Sequence, residues 1–320
     1  MSFLNKKEIE AISKKHGFKM DTLEKVVRLL DILTYIQSSD LLSKHLVLKG
    51  GTAINILIWD LPRLSVDIDL DFNYNYSKEE MLKYREKISN NISNYLKLNG
   101  YTQNPHSKKT FALDSFVYSF TNMNNQKDHI KIEINYMNRC HILEPVDLIT
   151  KIPFLKKISI KTLNTYELYG SKIKALIERC TIRDVYDVHY MLKNNYFNNE
   201  ELAIVKKCVI FYFILGKTSF IELSNIIKDF EIKINTFRKK LIPQHLSSTL
   251  RKTDNLNLIE AVDYVKEFIK NFLILNENEL QFLNEFKISN YKPEILFSDE
   301  KILSRIRNHP MVLWKLKNLE

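Results

Sequence analysis

Apolar and acidic side chains alternate without a break from Val66 to Phe72: Val66, Ile68, Leu70 and Phe72 fall on one parity, Asp67, Asp69 and Asp71 on the other. Successive side chains of an extended strand point to opposite faces, so the pattern predicts a strand with one buried face and one row of carboxylates. A second alternation sets Ile130, Ile132 and Ile134 against Lys131, Glu133 and Asn135, and predicts another strand over residues 129–135. Upstream of both, His45 to Leu48 reads as a short strand that ends at Gly50-Gly51-Thr52 and passes into a helical run through Ile58.

Spacing by three and four takes over further along. Ile173, Leu176, Ile177 and Cys180 form an apolar stripe on a helix that Asn164 and Glu167 open. Thr181 with Asp184 three residues on predicts a capping box and a second helix from about Ile182, with Arg183, Asp184 and Asp187 on its first turns. Beyond Tyr196 the segments Glu200 to Phe213, Ser219 to Phe230, Asn255 to Asn276 and Asn278 to Phe286 read as helices, broken by an Asn-rich stretch at 194–199 and by Leu241-Ile242-Pro243. The expected architecture is α+β: a mixed β-sheet flanked by helices in a catalytic domain over 1–195, then a mainly helical C-terminal domain over 196–320. A chain of 320 residues has material for two cores.

Carboxylates on neighbouring same-face positions repel, and a strand built for burial holds them best beside a cation. Hard oxygen donors suit Mg²⁺ or Mn²⁺, which take one or two protein carboxylates and fill their remaining places with water and substrate phosphates. Asp67 and Asp69 are the metal candidates, and Glu133 on the second strand is the candidate third carboxylate, with Lys131 tempering the charge. Glycines let backbone amides approach an anion closely, so Gly50, Gly51 and Thr52 read as a phosphate turn. Thr52 offers a hydroxyl that also suits a helix cap. Lys172 and Arg179, seven residues apart on one helix, are within reach of a triphosphate. Strand, phosphate turn, helix and acidic strand are the parts phosphoryl-transfer chemistry needs. Each part also has a plainer reading: an acidic edge strand facing water, a turn that uses glycine for steric reasons, a half-exposed strand, and, for Asp184, a partner of the helix dipole.

The segments LKGGTAIN, RLSVDIDLD, KIEIN and SKIKALIER…RDVYDVHYM, in that order, resemble the AbiEii family of bacterial nucleotidyltransferase toxins, to which the mycobacterial MenT toxins are also similar, within the DNA polymerase β-like nucleotidyltransferase superfamily. The helix DTLEKVVRLLDIL and the closing RNHPMVLWKLKN share the resemblance, which covers most of the chain. It implies that Gly51 and Thr52 hold nucleotide phosphates, that Asp67 and Asp69 bind metal, and that Ser65 stands near the active site, with Arg63 beside it as a further nucleotide-binding candidate. It implies that Lys172 contacts the triphosphate and that Asp187 is the acid of the later R-D-x-x-D motif. Thr52 stands where many superfamily members carry serine, which keeps the hydroxyl. The third carboxylate, Glu133 here, is not always retained in such toxins. The implied biology is a toxin–antitoxin or phage-defence enzyme that takes a nucleoside triphosphate, modifies an acceptor such as RNA (tRNA), and is paired with a separately encoded antitoxin carrying a repressor domain.

A formal net charge of +10 favours a polyanionic partner, although lysine usage and solubility also account for such an excess. Lys239, Lys240 and Arg251 are the basic candidates for acceptor binding, with a solvated charged face as the plainer reading. Cys140, Cys180 and Cys208 are odd in number and far apart, without zinc-ligand spacing, which points to a reducing, cytoplasmic setting. The longest apolar run, Cys208 to Leu215, is too short to span a membrane. Two other functional classes stay open: a glycosyltransferase that holds a metal-bound nucleotide sugar on Asp-x-Asp, and a non-catalytic protein that binds RNA or a partner.

Overall fold

A computed structural model describes residues 4–216, 223–237 and 242–318. Lys239, Lys240 and Leu241 lie outside the described residues, as do positions 219–222 of the helix expected from Ser219. The described residues form two compact units.

The first unit comprises residues 1–141, 145–163 and 247–254 and holds the sheet. Its eight strands are β1 (Leu46–Lys49), β2 (Asp67–Phe72), β3 (Thr102–Gln103), β4 (Lys108–Lys109), β5 (Leu113–Thr121), β6 (Lys127–Asn135), β7 (Val146–Ile149) and β8 (Ser159–Thr162). They run in the order β3-β5-β6-β2-β1-β8-β7, with β4 on β5. The sheet is mixed: β2 pairs with β6 and β1 with β8 in parallel, and the other pairings are antiparallel. Both alternating segments are strands, and their isoleucines, with Leu70 and Phe72, are buried as the parity requires. Helices Lys6–His16, Met20–Ser38 and Lys78–Leu98 belong to the same unit. The last of these is opened by a capping box between Ser77 and Glu80.

The second unit comprises residues 142–144, 164–246 and 255–320, and its described elements are helical. The expected helices are found as Thr165–Arg179, Ile182–Lys193, Asn199–Leu215, Leu258–Phe272 and Glu277–Lys287, with a described helical stretch at Leu223–Asn235. Helices Thr165–Arg179 and Asn199–Leu215 meet at a small residue: a β-carbon built on Gly170 would lie 2.6 Å from Cys208 Cβ. Phe211, Phe282, Phe286, Phe297 and Ile306 form the centre of this unit's core. No described helix is long and apolar enough to cross a membrane.

Candidate functional site

Strand β1 leads directly into the glycine turn. Gly50 adopts φ 73°, a left-handed conformation that glycine accepts without strain, and the chain then forms a short helix, Gly50–Ala53, that widens into a π-helical turn at Ile54–Ile58. Ile54, Ile56, Leu57 and Ile58 are buried and fix this segment. Asn55 Nδ2 donates to Gly51 O at 2.8 Å and closes the turn from within.

The turn is packed against the acidic strand. A β-carbon built on Gly50 would overlap Asp69 Oδ2 and stand 3.1 Å from Asp69 Cβ and Cγ. Thr52 Oγ1 donates to the Asp67 carbonyl at 2.5 Å and lies 3.0 Å from Ser65 Oγ. The Thr52 side chain is fully buried, so the hydroxyl expected to face a phosphate instead ties the turn to the first residue of β2. Ser65, also buried, takes part in the same tie.

Register sets what surrounds the acids. Lys49 on β1 and Glu133 on β6 are the direct cross-strand partners of Asp69, and Ser115 on β5 is that of Glu133, so these four residues form one polar row across the sheet. Asp67 is registered with Lys131. Glu133 therefore stands beside Asp69 as expected, and its Oε1 is 2.9 Å from Lys131 Nζ. Among the described residues, no three acidic, histidine or cysteine side chains gather into a cage for a metal ion. Asp67 and Asp69 together supply a pair of hard oxygen donors on one sheet face beside a glycine turn, a donor set that fits Mg²⁺ or Mn²⁺ completed by water and phosphate oxygens.

Asp71, the third acid of the alternation, has a different fate. It is 1% exposed, and Lys49 Nζ lies 2.5 Å from its Oδ1. Burial pushes its carboxyl above the usual carboxylate range, Lys49 pulls it back, and the nearby charge of Asp69 adds to the rise. Arg63 is 2% exposed and donates from Nη1 to the Leu64 carbonyl. Its backbone forms a bridge with Leu250, while Leu64 N donates to Thr249 O, so this nucleotide-binding candidate is built into the interior of the first unit. Arg251, expected at an acceptor surface, sits over the Phe18 ring and donates to the Asp60 and Leu61 carbonyls, which gives it a structural place in the same unit.

The third motif forms a buried charge cluster within the second unit. Lys172 Nζ is 3.0 Å from both Asp184 Oδ1 and Asp187 Oδ2. Arg179 reaches Asp184 through Nε at 2.8 Å and Nη2 at 2.9 Å. The helix does start at Ile182, but the expected capping box is replaced: the Thr181 hydroxyl donates to the Asp184 carboxylate at 2.6 Å, with no side-chain bond to the backbone. Burial alone would raise Asp184, yet Lys172 and Arg179 hold its carboxyl well below the usual range. Asp184, read from the sequence as a dipole partner, is thus the hub of the cluster.

Comparison with known proteins agrees with this architecture. A family model described as nucleotidyl transferase AbiEii toxin, type IV toxin–antitoxin system, matches residues 31–266. The fold is similar to that of MenT4, a nucleotidyltransferase toxin from Mycobacterium tuberculosis H37Rv, at 14% identity and a TM-score of 0.60, over 99% of each chain. No curated protein sequence matches the chain.

Proposed function

The chain belongs to the AbiEii nucleotidyl transferase toxin family of type IV toxin–antitoxin systems, and from that premise we propose that it transfers a nucleoside monophosphate from a nucleoside triphosphate to an RNA acceptor, tRNA in the first place, with release of pyrophosphate. The observation that carries the reading is the seating of Gly50 on Asp69, which packs the glycine turn against the strand that carries Asp67 and Asp69.

In this proposal Asp67 and Asp69 hold Mg²⁺ or Mn²⁺, which when bound supplies charge neutralisation for the phosphates. The Gly50 and Gly51 amides orient the triphosphate so that an acceptor hydroxyl attacks the α-phosphorus in line, forming the new P–O bond as the bond to pyrophosphate breaks. Thr52 and Ser65 keep the turn and strand in register. Lys172 and Asp187 are assigned to nucleotide binding and catalysis from their motif positions, and Glu133, opposite Asp69 in the register of β6, is the candidate third carboxylate. By function, residues 1–195 carry the transfer chemistry and residues 196–320 the acceptor-binding helices. A separately encoded antitoxin completes the system.

The test is incubation of the protein with each of four labelled nucleoside triphosphates and RNA, DNA or protein acceptors, beside Asp67→Asn. Metal-dependent labelling of RNA that Asp67→Asn abolishes supports the reading. Labelling that survives the substitution contradicts it, and transfer from a nucleotide sugar instead would favour a glycosyltransferase.

A further inference from the structure

We propose that Asp71 is a positioning residue for the acid pair: it captures the Lys49 ammonium and so keeps that cation from pairing with Asp69. The inference rests on the proposed metal-holding role of Asp67 and Asp69 and adds a regulator of it from the same strand.

Register makes Lys49 the direct antiparallel partner of Asp69, whose β-carbon such a pairing places about 5 Å away. A lysine there has Asp69 as its nearest acid straight across the ladder. Among the described residues its ion-pair partner is instead Asp71, two positions along β2 on the same face. Asp71 is almost completely enclosed, between Val47 on β1 and Asn135 on β6 in the register, whereas Lys49 keeps part of its side chain in solvent. A buried carboxylate binds a cation more strongly than a hydrated one does, because removing its partner leaves an uncompensated charge in a medium of low polarity. Asp71 therefore outcompetes Asp69 for the lysine. Lys49 also immediately precedes Gly50, so the ion pair anchors one end of the turn to β2 as the Thr52 to Asp67 bond anchors the other.

Neutralising Asp71 frees an ammonium directly opposite Asp69, where it competes with a divalent cation. The test is Mn²⁺ binding to nucleotide-free protein, followed by the electron paramagnetic resonance signal of free Mn²⁺ and by the Mn²⁺-induced rise in melting temperature. Circular dichroism checks each variant's fold. Asp71→Asn is expected to bind Mn²⁺ about tenfold more weakly than wild type, the scale of one added positive charge within several ångströms. Lys49→Gln/Asp71→Asn is expected to return to within about twofold of wild type, and Lys49→Gln alone to bind no more weakly than wild type. A merely structural role for Asp71 would not be rescued by removing Lys49. Unchanged affinity in Asp71→Asn, a double variant as weak as Asp71→Asn, or weakened binding in Lys49→Gln overturns the inference while leaving the proposed function standing. Mn²⁺ binding that is absent, or indifferent to Asp67→Asn, overturns the metal-holding reading and this inference with it.

Discussion

Gly50 rests so closely on Asp69 that a β-carbon at position 50 would occupy the space of the Asp69 carboxylate oxygen. The contact joins the two sequence features with the clearest chemistry, a glycine turn and an acidic strand, within one unit. It also lets the steric and conformational needs for glycine be measured separately. Gly50 and Gly100 both adopt positive φ, 73° and 80°, but a β-carbon on Gly100 would meet nothing within 4 Å. Gly100→Ala is therefore expected to lower stability by about 1 kcal/mol through backbone strain and to leave nucleotidyl transfer intact. Gly50→Ala carries that strain and displaces Asp69, with transfer falling at least about a hundredfold. Melting curves and labelling assays on the two variants check this, and equal activities would remove the importance of the contact.

The Thr52 hydroxyl is expected to matter for its internal bond. Thr52→Val leaves the Asp67 carbonyl and Ser65 short of a buried partner, for a loss of about 1–3 kcal/mol, whereas Thr52→Ser keeps the bond. Chemical denaturation distinguishes the two. Similar losses in both variants would point to the methyl group and to packing.

How much of this was legible beforehand differs from motif to motif. The period-two alternation identified β2 and β6 because each buries one face, and the adjacent glycines located the turn because few other residues serve there. Local spacing could not separate the three acids of β2. Asp67, Asp69 and Asp71 share a face, and only the neighbouring strand shows that Asp71 is the one given to Lys49. The Thr52 hydroxyl and the Asp184 hub were hidden for the same reason, since their partners lie 15 and 12 residues away along the chain and are set by packing. The helices expected over Glu200 to Phe213, Asn255 to Asn276 and Asn278 to Phe286 were readable from their spacing, with ends shifted by a few residues, whereas the short helices Gln244–Ser247, Glu300–Ile306 and Pro310–Leu316 were not marked by it.

Lys172 combines a stabilising role with its proposed nucleotide-binding role. Lys172→Met removes the cation between the buried Asp184 and Asp187 carboxylates and is expected to destabilise the protein by about 3 kcal/mol at neutral pH. In the wild type Asp184 has a depressed pKa, so its pairing stabilises the fold above the ordinary carboxylate range and is lost as pH falls through the lowered value. The gap between wild type and variant should therefore narrow in acid, as read from denaturation midpoints against pH. Unchanged triphosphate affinity in the folded variant would count against a binding role.

Glu167 gives a pH dependence of opposite sign. Burial pushes its carboxyl up to about 7, against the pull of the Tyr212 hydroxyl and the Leu143 and Ile142 amides that it accepts from. With the folded pKa above the unfolded one, the folded protein holds the proton more tightly. Stability should then fall as pH rises between about 4.5 and 7, by on the order of 3 kcal/mol, and level off above. Glu167→Gln is expected to lose this component of the slope even if its overall stability is lower. Parallel pH profiles for wild type and variant would contradict the assignment.

Position-specific labelling of the triphosphate tests the central claim most directly. With RNA as acceptor, label in the α-phosphate should appear in the RNA and label in the γ-phosphate should leave as pyrophosphate, both in wild type and neither in Asp67→Asn or Asp69→Asn. Transfer of the γ-label to the acceptor, or α-label transfer undiminished in the aspartate variants, would contradict nucleotidyl transfer at this acid pair.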